Sequence, residues 1–149
     1  MTARFTYRAD RAEHVEGDEP GWNMFQDGYG YFGIAFGARS IFESYGKTTR
    51  VNQAVWSDRG VLQLLRGKTS PGKASGSGEK TKRSAPKLIP GDTVEMRVTI
   101  TPGNGGKSSV ETVLRARGET VSLVEEMPAA ATEGYVGITS RGLIDFELN

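Results

Sequence analysis

The sequence predicts an all-β fold, a sandwich or barrel of short antiparallel strands, and three observations lead there. Runs of alternating apolar and polar residues recur, most cleanly in "DTVEMRVTIT", where Val94, Met96, Val98 and Ile100 alternate with Thr93, Glu95, Arg97, Thr99 and Thr101. Twenty glycines punctuate those runs at short intervals. Only "EEMPAAATE" has a helical composition, and Pro128 limits it to about one turn. Many strands, many turns and almost no helix describe two packed sheets or a closed one.

Each element is justified in turn by its own pattern. "RFTYRA" places Phe5 and Tyr7 on one side of a first strand. "YFGIAFG" puts Phe32, Ile34 and Phe36 on one face and Tyr31, Gly33, Ala35 and Gly37 on the other. "RVNQAVWSDRGVLQLLRG" reads as two strands around a turn-like "SDRG". "DTVEMRVTIT" follows, and then "SSVETVLRARGETVSLVEE" reads as a hairpin turning at Arg117-Gly118-Glu119. "EGYVGITSRGLIDFELN" reads as a second hairpin, turning at Ser140-Arg141-Gly142. Between these, residues 67–87, "GKTSPGKASGSGEKTKRSAPK", hold nothing apolar larger than alanine or proline. They set Lys68, Lys73, Lys80, Lys82, Arg83 and Lys87 against a single acid, Glu79. That composition predicts a mobile basic loop, whose charge can also grip phosphates or acidic glycans.

Composition narrows the function. At 149 residues the chain has the size of one domain, and we read 1–149 as a single β-sandwich. A net charge of +1 offers no strong field for nucleic acid or an anionic membrane. No apolar run approaches the roughly 18 residues of a membrane span, and the first residues lack a secretory signal. With no cysteine, thiolate metal sites, disulfides and cysteine nucleophiles are excluded. The single histidine, His14, lies in the polar run "DRAEHVEGDE", where a solvated side chain is the simpler reading than a catalytic one.

The second half carries a resemblance. "LIPGDTVEMRVTIT", "RGETVSL" and "GYVGITSRGLIDFELN", preceded by "YFGIAFG" and "GVLQLLRG", resemble strands of the concanavalin-A-like lectin/glucanase superfamily, its laminin-G-like members included. The resemblance implies an antiparallel jelly-roll β-sandwich over about three quarters of the chain. It also implies carbohydrate binding or adhesion, with glycoside hydrolases and polysaccharide lyases as the enzymatic branch, and an extracellular or periplasmic setting, commonly within a larger multidomain protein. Because the shared motifs are turns and core positions, they speak to fold more than to function.

Against the catalytic patterns of that group the chain is incomplete. "LIDFELN" offers Asp145 and Glu147 on one face but has Leu143 where the glucanase pattern has its first Glu. The lyase pattern is not supplied by "RVNQ" and His14. Glu43 and Glu95 complete the list of stray carboxylates. Asp27, Asp58 and Asp92 could contribute to a loop calcium site, but aspartate is also a natural turn residue. No cofactor is otherwise implied.

The candidate binding face depends on Trp56. A four-residue loop, 57–60, sets Trp56 opposite Val61; one face then holds Val51, Val55, Leu62 and Leu64, and the other Asn52, Ala54, Trp56, Gln63 and Leu65. A three-residue loop, 58–60, flips the pairing, and Trp56 joins Leu62 and Leu64. The first choice separates apolar from polar better and predicts Trp56 on a concave mixed face beside a trough of small residues. Trp56, Tyr31, Arg50, Asn52 and Gln63, with Arg97 from the long strand, are the predicted ligand-binding residues. A flat aromatic and planar polar groups suit a sugar ring, making an oligo- or polysaccharide the predicted partner. In the competing reading a second layer or a partner covers Trp56, and the domain docks a neighbouring domain or a second copy. Trp22, in "EPGWNMF", reads as a loop anchor at the core's edge.

Overall fold

Every strong alternation in the sequence becomes a strand. The structure, a computed structural model, describes residues 1–10, 31–38, 51–57, 60–67, 80–141 and 144–149. In order these form β1 (Thr2–Asp10), β2 (Tyr31–Ala38), β3 (Asn52–Ser57), β4 (Val61–Leu65) and β5 (Lys80–Ser84). There follow β6 (Thr93–Pro102), β7 (Lys107–Ala116), β8 (Glu119–Pro128), α1 (Ala129–Thr132), β9 (Tyr135–Arg141) and β10 (Ile144–Leu148). They build two antiparallel five-stranded sheets, β10-β1-β6-β7-β8 and β5-β4-β3-β2-β9, so the fold is an all-β sandwich.

The core lies between the sheets. Phe5 and Tyr7, then Val94, Met96 and Val98, then Val110 and Leu114, with Leu123 and Met127, face inward from the first sheet. Phe32, Ile34, Phe36, Ala54, Trp56, Leu62 and Leu64 face them from the second. The burial of alternate residues in β6 follows the predicted period.

Turn chemistry decides several connections. β7 and β8 are joined by Arg117 and Gly118 alone, with Ala116 paired to Glu119. Both turn residues have positive φ, 51° and 75°, the signature of a tight hairpin whose twist matches its strands. Pro128 closes β8 and stands before the single helical turn of α1, as its missing N–H and fixed φ require.

Three expectations change. β9 and β10 do not form a hairpin: β9 pairs with β2 and β10 with β1, so the chain crosses from one sheet to the other between them. An alternating pattern around a turn cannot distinguish the two outcomes, because both present one apolar face. Within the predicted basic loop, residues 80–84 form β5, paired in full register with β4 from Val61–Ser84 to Leu65–Lys80. Backbone hydrogen bonds need no apolar side chain, so composition concealed this strand. Thirdly, β3 and β4 adopt the shorter loop: Ser57 pairs with Val61 and Trp56 with Leu62.

Candidate functional site

The β3–β4 register turns the predicted face over. Asn52, Ala54 and Trp56 stand beside Phe36, Ile34 and Phe32 of β2, on the core side. Trp56 is 1% exposed. Its ring meets Phe32 at 5.5 Å and Tyr7 edge-on at 5.7 Å, and its Nε1–H donates to the Pro86 carbonyl at 3.0 Å. A buried indole N–H needs such an acceptor, and the segment after β5 supplies it. The prediction that Trp56 lies on an open face is therefore corrected: it is a core plug.

The criterion that favoured the other register failed for a physical reason. It assumed that the face away from the core meets water, yet Val55 and Gln53 on that face are 0% and 1% exposed. With both faces of β3 buried, apolar side chains are no longer confined to one of them.

Asn52 is likewise structural. Its Nδ2 donates to Ala131 O at 2.7 Å and lies 3.5 Å from Phe36 O, while its Oδ1 accepts from Gly67 N at 3.0 Å. One amide thus ties together β2, the α1 turn and the exit of β4. The same corner explains Gly37, which has a φ of 77° and whose Cβ would meet Ala131 O at 2.3 Å.

The six predicted residues disperse. Tyr31 and Gln63, both half-buried, share the face of the second sheet that points away from the core. Trp56 and Asn52 lie on its opposite face, a correction to the predicted grouping. Arg97 is on the outer face of the other sheet, 3.7 Å from Glu111. Arg50 lies outside the described residues, as do His14, Trp22, Asp27, Glu43 and Asp58. What remains on the outer face of the second sheet is a row across five strands: Lys82, Gln63, Val55, Gly33 and Thr139. Beside it, Gln53 Oε1 accepts from Thr139 Oγ1 at 3.2 Å.

Of the carboxylates named for acid–base work, Glu95 and Glu147 are engaged in ion pairs, and the side chains of Glu43 and Asp145 lie outside the described residues. Glu95 is held between Arg4 and Arg115, each at 3.1 Å, on the solvent face of the first sheet. Its hydrogen bond from Arg4 is the main cause holding its carboxyl below the usual range, the opposite of what a general acid needs. Glu147 pairs with Arg8 on the same face. Asp92 accepts from Ile89 N at 2.9 Å and stands 3.5 Å from Arg117, so its carboxylate serves a turn. Among the described residues, no group of three or more His, Asp or Glu is placed to hold a metal ion.

The feature that sequence reasoning missed lies at one side of the sandwich. Val136 and Ile138 of β9 continue the core-face rows of Phe36 and Ile34, and Leu148 of β10 continues that of Phe5. They are nevertheless 49%, 37% and 54% exposed. A cleft of about 370 Å³ opens there, lined by Met1, Ala3, Ile138 and Leu148 and edged by Thr2, Arg4 and Asn149. Reading β9 and β10 as a hairpin hid it, since strands in one sheet would not leave a gap between two edges.

Comparison of this chain with protein-family models, with curated proteins and with solved structures finds no match. The concanavalin-A-like reading thus rests on the sequence pattern, and the function on the geometry above.

Proposed function

We propose that this β-sandwich is a non-catalytic interaction module that docks a second copy of itself through the open side between β9 and β10. The exposure of core-face side chains Val136, Ile138 and Leu148 carries this reading. Apolar surface of that kind favours leaving water, and a rim of Thr2, Arg4 and Asn149 around it fits a protein interface. Among the described strands, β9 and β10 each have a neighbour on one side only, and such edges invite pairing about a two-fold axis. Sedimentation equilibrium tests it: a concentration-dependent dimer is expected, abolished by Val136→Lys with Ile138→Lys. A chain that stays monomeric to millimolar concentration would overturn it.

Carbohydrate binding is a second reading, supported by the half-buried Tyr31, Gln63 and Thr139 on the outer face of the second sheet. It predicts glycan-array signals that fall when Gln63→Ala or Tyr31→Ala is introduced. An array that stays blank, or signals indifferent to both changes, would remove it.

A further inference from the structure

The charges of the described residues divide into two populations. Arg4, Arg8, Arg66, Arg97, Lys107, Arg115 and Arg117 each face a carboxylate within ion-pair distance. Lys82, Arg83 and Lys87 have no acidic partner among the described residues. All three are exposed, and they lie on or just after β5 in "KTKRSAPK", a stretch with four cations and no acid. On β8, which packs against β5 from the other sheet, Glu125 is engaged by Arg66 and Glu126 by Lys107.

β5 is also the last strand of its sheet. Among the described strands it pairs with β4 alone, and no described strand lies beside the other row of its N–H and C=O groups. Register sets Lys82 on the outer face beside Gln63 and Arg83 on the core-side face beside Leu62. A strand added at this edge therefore meets a cation on each of its faces.

We propose that the free edge of β5 receives an extended acidic polypeptide segment by strand addition. Lysines on an edge ordinarily repel other strands, and here they would set like charges against one another if two copies met at β5. An acidic strand reverses that sign: its backbone completes the ladder and its carboxylates pair with Lys82 and Arg83. An anionic polysaccharide or a nucleic acid would use the same cations but has no backbone to continue the sheet, and the open ladder favours a polypeptide. The surface is separate from the β9–β10 side, so either proposal stands without the other.

The test uses a fluorescent eight-residue peptide of Thr, Val and Glu with four glutamates, and the same peptide N-methylated at alternate amides. Fluorescence anisotropy is expected to show saturable binding that weakens with salt. Affinity should fall at least about tenfold in the Lys82→Glu/Arg83→Glu variant. The N-methylated peptide should bind at least about tenfold more weakly, because it cannot complete the ladder. An unchanged thermal midpoint would verify that the variant is folded. No binding, equal binding of both peptides, or tighter binding of heparin or oligo-dT than of the acidic peptide would each overturn the proposal.

Discussion

The two long sides of this sandwich are built from the same alternating strands, and one is sealed while the other is open. On the sealed side β8 packs against β4 and β5, Trp56 fills the space beneath and bonds to the Pro86 carbonyl, and Arg66 spans the sheets to Glu125. On the open side β9 and β10 end their sheets with Val136, Ile138 and Leu148 facing inward but exposed. The difference teaches that an inward-facing position is not a buried one. On the sealed side a large buried side chain and an inter-sheet ion pair stand at the margin.

Removing the plug should break the sealed side most. Trp56→Ala is expected to cost about 3–5 kcal/mol in urea unfolding, since it removes the largest fully buried side chain among the described residues. Trp56→Phe should cost less, about 1–3 kcal/mol, largely because the Pro86 carbonyl loses its donor. A loss under about 0.5 kcal/mol from Trp56→Ala would contradict the core placement.

Gly37→Ala comes next. Strained φ and the short approach to Ala131 O should destabilise by about 1–3 kcal/mol, read as a lower thermal midpoint. Glu125→Gln should cost about 1–2 kcal/mol, below the cost for a fully buried pair because Arg66 and Glu125 keep 30% and 15% of their side-chain surface.

The open side should be nearly indifferent. At concentrations low enough to dissociate the proposed dimer, Ile138→Lys is expected to stay within about 0.5 kcal/mol of the parent. A large loss would mean that this margin is sealed after all.

The smallest effect concerns pH. Glu95 has its carboxyl depressed by Arg4 first and then by Arg115. A depressed acid contributes stability above its unfolded pKa and loses it as pH falls through the folded value. NMR titration should place Glu95 below an ordinary glutamate, and Arg4→Ala should move it back up. An unmoved titration would remove the Arg4 contact as the cause.

Much of the fold was legible because strands with one buried face carry their period in the residues. Phe5 and Tyr7, the three apolar residues of "YFGIAF" and the alternation of β6 all point inward as read. The candidate site was less legible. Tyr31 and Gln63 do share a face, but Trp56 and Asn52 were assigned to the wrong one, since a loop shorter by one residue moves every side chain of β3 relative to β4. The open side was invisible for a different reason. Whether two strands around a turn join one sheet or two depends on partners far away in the chain, β2 and β1, and not on the turn.

By itself, the sequence determined the all-β class, the inward faces of β1, β2, β4 and β6 and a hairpin around Gly118, because these follow from period and local backbone preference. Tertiary structure alone decided that β5 is a strand, that Trp56 is a plug and that β9 and β10 part company. Each of those outcomes rests on a distant partner: the β4 backbone, the Pro86 carbonyl with Phe32 and Tyr7, and the edges of two different sheets. No window of neighbouring residues contains them.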